Sequence, residues 1–205
     1  MSKTDFKPGN FLYPAPAVMV SCGDNIEKLN IITISWTGNV CTNPPVVYIS
    51  VRPERYSYDI IKRTGEFVIN LVNEKLAFEC DFCGVKSGRD VDKFTHLKLT
   101  PKPAKKINSF IIEECPVNLE CKVKEIVKLG SHDMFIADIV NIQVNESLLD
   151  ETGKFHFNNS KPLVYSHGEY RGIKEESLGK FGYSVAKKDK AEKNKKNQQT
   201  KGGKK

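Results

Sequence analysis

Between Asn30 and Tyr58 the chain reads NIITISWTGNVCTNPPVVYISVRPERYSY. Its first apolar run ends in Ser35, Trp36, Thr37 and Gly38, and its second delivers Ser50, Val51, Arg52, Arg55, Tyr56, Ser57 and Tyr58. Hydroxyls, backbone N–H groups in a glycine turn and guanidinium forks are the groups that hold a phosphate. Ser57 reads as the N-cap of a following helix, which would bring a positive helix end to the same place. This stretch therefore predicts an anion site on a β scaffold.

Other reactive residues carry less. Cys80-Asp-Phe-Cys83 has C-x-x-C spacing, but it closes a helix and lacks the strand before it that a thioredoxin-like dithiol needs. No second pair stands at zinc-ribbon spacing, so buried core cysteines are the expectation and no metal is assigned. His132 lies in a turn beside Asp133, where residue type alone favours a surface role. The loop Gly84–Phe94 collects Ser87, Gly88, Arg89 and Lys93, which are able to approach a ligand closely. No P-loop, dinucleotide glycine fingerprint or nucleophile elbow is present in the sequence.

The elements that position these residues are mostly strands. Ile32, Ile34 and Trp36 alternate with Ile31, Thr33 and Ser35, the period of a half-buried strand. Residues 17–21, 46–51, 66–72, 110–112, 119–127 and 134–144 read the same way, with a turn-prone break from Gly38 to Pro45. Two helices are expected, one from Ser57 to a stop at Gly65 and one from Asn73 to Cys83, with Leu76, Cys80 and Cys83 on its inner side. Pro101 and its lysine-rich surroundings, 100–106, should be exposed. Many short strands with few helices give a mainly β fold, a barrel or sandwich.

The chain has 205 residues, enough for one domain with a full core. No apolar run approaches the ~20 residues of a transmembrane helix. With no apolar leader behind Met1 and no dense cysteine framework, a cytoplasmic location is expected. The formal charge of +7 resides in the tail: Lys187–Lys205 holds nine lysines against Asp189 and Glu192, which leaves the remainder neutral. Such a segment cannot bury apolar surface and is expected to be a disordered extension of a domain spanning 1–186. It has no aromatic residue to stack on bases, so nucleic-acid contact is the less favoured role.

Taken together, NIITISWTG, NPPVVYISVRP and YSY, followed by GEFVINL at 65–71, SGRDVDKF at 87–94, LECKV at 119–123, SHDMFIADI and PLVY, resemble the flavin reductase-like family that includes flavoredoxins. The resemblance covers about Tyr13 to Gly182. It implies an FMN-binding split β-barrel of Greek-key type, a homodimer with FMN near the subunit interface, and NADH or NADPH as hydride donor. Electrons would pass to free flavin or a redox protein. By the same resemblance Ser35, Trp36, Thr37 and Gly38 lie along the flavin ring, and Ser50, Val51, Arg52, Tyr56, Ser57 and Tyr58 hold its ribityl chain and phosphate. Ser87, Gly88 and Lys93 close over it, and His132 stands near the nicotinamide as the catalytic candidate. One departure is Ala137-Asp138, where many relatives carry Gly-Glu. Two other readings remain: a flavin electron carrier with little NAD(P)H activity, and a β-barrel binding module whose basic tail contacts nucleic acid.

Overall fold

A computed structural model describes residues 1–186; the lysine-rich stretch 187–205, read from sequence as disordered, lies outside the described residues. The chain forms two units, Met1–Ile173 and Lys174–Lys205. In the second unit, residues 174–186 are exposed and form one short 3-10 turn at Tyr183–Val185.

The first unit is mainly β. Its strands are β1 (Ala15–Pro16), β2 (Val18–Cys22), β3 (Asn30–Ile34), β4 (Thr37–Cys41), β5 (Val46–Val51), β6 (Glu66–Leu71), β7 (Pro101–Pro103), β8 (Phe110–Ile112), β9 (Val117–Lys128), β10 (Asp133–Val144), β11 (Leu163–Ser166) and β12 (Glu169–Gly172). Three helices interrupt them: α1 (Tyr56–Thr64), α2 (Ala77–Val85) and α3 (Lys93–Leu97).

The main sheet has the order β3-β2-β6-β9-β10-β5-β4, antiparallel throughout. Its two edge strands, β3 and β4, are consecutive in the chain and separated by only Ser35 and Trp36. A seven-stranded sheet whose edges are joined by two residues has to curl until those edges meet. The result is a split barrel, with Trp36 at the split, where its carbonyl accepts from Ser50 N at 2.9 Å.

Alternate residues of β2 and β3 enter different cores. Val18, Val20, Ile32 and Ile34 fill the barrel with Ile49, Phe67 and Phe135, while Met19 and Ile31 pack outward against Cys80, Cys83 and Phe94. β3 is thus covered on both faces, because α2 and α3 lie on its outer side, and the half-buried strand expected from its alternation is corrected. The break expected from Gly38 onward is also corrected. Thr37–Cys41 pairs with β5 as a strand, and the reversal is confined to 42–45.

α1 ends where expected: Gly65 is left-handed at φ 68° and donates to Ile61 O. Its start differs. Arg55 occupies the N-cap without a side-chain hydrogen bond, and Ser57 sits one residue inside the helix, buried. α2 follows a 3-10 turn whose N-cap is Asn73, and Leu76, Cys80 and Cys83 are buried as their spacing indicated. α3 begins at the end of the stretch expected to be a loop, and Asp92 caps it by accepting from Thr95 N at 3.2 Å. Pro101–Pro103, expected only as exposed chain, pairs with β8. Among the described residues no helix is long and apolar enough to cross a membrane.

Candidate functional site

Four cavities share lining residues one with the next. The Trp36 cavity, about 320 Å³, is lined by Ile32, Ser35, Trp36, Ser50, Val51, Arg52, Arg55, His132 and Tyr165 among others. It shares Ile32 and Arg55 with a smaller cavity of about 160 Å³ lined by Asn30, Tyr56, Ser57, Ser87, Gly88, Arg89 and Lys93. Two further cavities continue the line. One, about 540 Å³, shares Ser35, Trp36, Ser50 and His132 with the Trp36 cavity and is walled by residues 9–16. The other, about 580 Å³, shares Tyr56, Gly88 and Arg89 with the Lys93 cavity.

The Lys93 cavity has the chemistry of an anion site. Lys93 is buried, and its Nζ donates to Ile31 O at 2.6 Å and Cys83 O at 2.8 Å. An ammonium has three protons, so one remains for a ligand in the cavity it lines. Burial lowers the Lys93 pKa, and only partial compensation comes from Cys83 and Cys22. The N-terminal end of α1 opens on the same cavity without a side-chain cap. Ser57, expected as the cap, lies inside the helix, and its Oγ accepts from Asn30 Nδ2 at 2.7 Å. A helix N-terminus without a side-chain cap is suited to an anion.

Gly88 makes the enclosure possible. A Cβ there would stand 2.1 Å from Asn30 Oδ1 and 2.7 Å from Tyr56 Cδ1. The loop backbone can therefore press against both only as glycine.

The Trp36 cavity is flatter and less charged. His132 lines it from the corner at the start of β10, with Nδ1 3.0 Å from Ser131 Oγ, which leaves Nε2 for a ligand. Partial burial and the charge of Arg52 lower the His132 pKa, Glu54 opposes them, and Arg55 lowers it further, so the ring is neutral near pH 7. That corner is clamped from below. Tyr58 Oη donates to buried Asp133 at 2.6 Å, and its ring meets Phe135 edge-on at 5.4 Å. Tyr165 closes the cavity, held by the edge of Tyr13 at 5.9 Å.

The expected site residues divide accordingly. Ser35, Trp36, Ser50, Val51, Arg52 and His132 gather at the Trp36 cavity, and Tyr56, Ser57, Ser87, Gly88 and Lys93 at the Lys93 cavity. Thr37 lines the cavity on the far side of Trp36, and its hydroxyl donates to Tyr48 O at 2.6 Å. Gly38 and Tyr58 are not in the walls. Gly38 instead admits the Tyr48 ring, 3.2 Å from where a Cβ would stand, and Tyr58 belongs to the barrel core. Arg52 is half exposed and paired with Glu54 at 2.9 Å, whereas Arg55 lies where the two cavities join.

Asn30 and Tyr165 were not singled out from sequence, although Tyr165 ends PLVY, and Arg89 was read only as one of the loop residues able to approach a ligand. Asp138, at the departure from the usual Gly-Glu, pairs with Lys124 at 3.0 Å on the surface. Cys80 and Cys83 have their pKa values pushed up to about 12 by burial, the state of core thiols rather than of a reactive dithiol. Among the described residues no cluster of metal-ligating side chains occurs.

The curled split barrel thus carries a pocket lined by Lys93, Arg55 and Arg89 beside a slot lined by Trp36, His132 and Tyr165. The profile of the flavin reductase like domain matches residues 10–174, and the chain belongs to that family. It is similar to the flavoredoxin of Desulfovibrio vulgaris (Miyazaki F), with 28% identity, a TM-score of 0.82 and coverage of 89% of this chain and 100% of that one. The flavoredoxin from Methanosarcina acetivorans is similar at 25% identity and TM-score 0.80, covering 91% and 100%. The NADH-dependent flavin reductase StyB of Pseudomonas fluorescens is 22% identical over 84% of this chain and 91% of its own.

Proposed function

We propose that this protein is an FMN-dependent oxidoreductase that takes hydride from NADH or NADPH and passes the electrons to free flavin or a redox protein. The observation that carries this reading is the join at Arg55 between an aromatic slot and a buried anion pocket. A flat ring tethered to a phosphate needs that pair of spaces. The two flavoredoxins and the NADH-dependent reductase among the chain's relatives support the same reading.

In this proposal Lys93, Arg55 and the end of α1 hold the phosphate, and Ser87 and Gly88 close the loop over it. Ser35, Trp36, Ser50 and Val51 seat the ring. FMN, when bound, supplies the hydride and single-electron chemistry. The chain contributes orientation and charge. Arg52 and Arg55 place positive potential beside the slot, which favours the anionic reduced form and raises the reduction potential. His132, neutral and at the wall shared with the cavity of residues 9–16, offers Nε2 to a donor or acceptor placed there. Val140 and Ile142, exposed on β10, offer an apolar surface for the homodimer that the sequence resemblance implies.

Anaerobic stopped-flow mixing of the FMN-loaded protein with NADH or NADPH tests the activity. Rapid bleaching of the flavin absorbance by either is expected. No bleaching by either, with reduction by dithionite intact, would contradict hydride transfer and leave an electron carrier.

A further inference from the structure

Gly9, Asn10, Phe11, Leu12 and Pro14 line the cavity of about 540 Å³ that Trp36 and His132 also line. Among the described residues no backbone hydrogen bond outside the strand ladders involves residues 1–14. Leu12 is 91% exposed and Phe11 58%. Pairing begins only at Ala15, opposite Tyr165 of β11. The preceding residues are held by ring contacts, and these centre on one side chain. Phe11 lies 5.9 Å from the His167 ring, and Tyr13 meets that ring edge-on at 5.7 Å. Tyr13 also meets Tyr165, which lines the Trp36 cavity, at 5.9 Å.

His167 sits where the backbone favours other residues. With Gly168 it forms the two-residue turn between β11 and β12, and both have positive φ, 50° and 89°. Turns of this kind prefer Asn-Gly, because asparagine and glycine enter the left-handed region at least cost. A histidine gives the turn itself no advantage over asparagine; what it adds is a ring. Because Ala15 pairs with Tyr165, the register of β1 on β11 brings Tyr13 opposite that ring. An uncommon backbone conformation that presents a ring to a segment with few other ties points to a use for the ring.

We propose that His167 is a positioning residue that latches residues 9–14 as a strap walling this cavity, and that the latched strap sets how wide an electron acceptor can enter. The latch stands on the ring contacts alone, while its consequence for the acceptor rests on the flavin reading above. Latched, the strap leaves room for a compact acceptor of two fused rings. Released, it admits one as broad as the three fused rings of a flavin.

Trp36 is the only tryptophan in the chain and lines this cavity, so it reports on the strap without any flavin. Acrylamide quenching of its fluorescence is measured on the full chain free of flavin, for the wild type, His167→Asn and Gly168→Ala. His167→Asn keeps a residue suited to the turn and removes the ring. Gly168→Ala keeps the ring and strains the turn at φ 89°, with nothing within 4 Å of the added Cβ. His167→Asn is expected to raise the quenching constant about two- to fivefold, the population shift that aromatic contacts can hold back, with Tm unchanged or higher. Gly168→Ala should lower Tm and leave the quenching constant as in the wild type. Unchanged quenching in His167→Asn, or an equal rise in Gly168→Ala, would overturn the latch.

The acceptor is tested on the FMN-loaded chain, reduced stoichiometrically and reoxidised without oxygen by menadione or by anthraquinone-2-sulfonate. The rate with the three-ring quinone relative to the two-ring one should rise about fivefold in His167→Asn, following the open population. An unchanged ratio beside raised quenching would overturn the selection of acceptors. A chain that takes up no FMN would overturn the flavin reading and the selection with it, and the quenching result would still decide the latch.

Discussion

Arg55 lines both the Trp36 cavity and the Lys93 cavity, while Arg52 lines only the first and is partnered by Glu54. Arg55→Ala should therefore weaken FMN binding more than Arg52→Ala. The expected loss is about 1.5–3 kcal/mol, the worth of a charge-assisted hydrogen bond, read from quenching of flavin fluorescence. Equal and small losses in the two variants would remove Arg55 from the phosphate. Tyr58 is the opposite case. Its hydroxyl is the donor to buried Asp133, and Asp133 raises the Tyr58 pKa in return. Tyr58→Phe should cost about 1–3 kcal/mol in denaturant unfolding, because a buried carboxylate loses its donor, and should leave FMN affinity unchanged. The sequence shows both side chains in one seven-residue span and cannot say which of them face the ligand. Ser57 illustrates the cause: a serine before a helix reads as a cap, but Asn30, distant in sequence, turns it inward.

Strands whose apolar residues alternate were legible because burial imposes a period of two on them, and β5, β6, β9 and β10 fall within a few residues of their expected ends. β4 was not. Thr37–Cys41 has turn chemistry, and pairing with β5 imposes the strand from outside. α3 has five residues, too few to show a helical period. The lysine-rich 104–108 segment is fixed by another long-range partner that no local pattern displays. Glu120 of β9 is buried and accepts from Lys105 N, Lys106 N, Asn141 Nδ2 and Gln143 Nε2. Burial alone would raise its pKa, but these four donors outweigh it and hold the carboxyl below 4.5. The unfolded chain therefore takes up the proton first on acidification. The stabilisation from Glu120 is complete above pH 4.5 and is lost as pH falls through the lower folded value. Glu120→Gln should lower stability at pH 7 by on the order of 2–3 kcal/mol and flatten that acid limb of the pH profile. An unchanged acid limb in thermal melts would show that Glu120 does not govern it.

At the scale of the molecule, the chain turns from β3 to β4 through Ser35 and Trp36, and two of the cavities open at that turn. The family profile ends at residue 174, close to the end of the compact unit at Ile173. Truncation after Ala186 is accordingly expected to leave FMN affinity within about twofold, as for a change remote from the ligand. A large loss would tie the lysine-rich stretch to flavin binding. Fold class was readable because the apolar residues of most strands alternate with the period that burial on one face imposes. The series of cavities was not, since it arises from loops packed side by side. The central claim is that these cavities hold FMN, and an absorbance spectrum tests it most directly. The protein is mixed with excess FMN, desalted and scanned. Flavin bands retained at about one FMN per chain, as for a preformed site, are the expected result. A colourless protein after desalting, with no FMN binding in solution, would contradict the account.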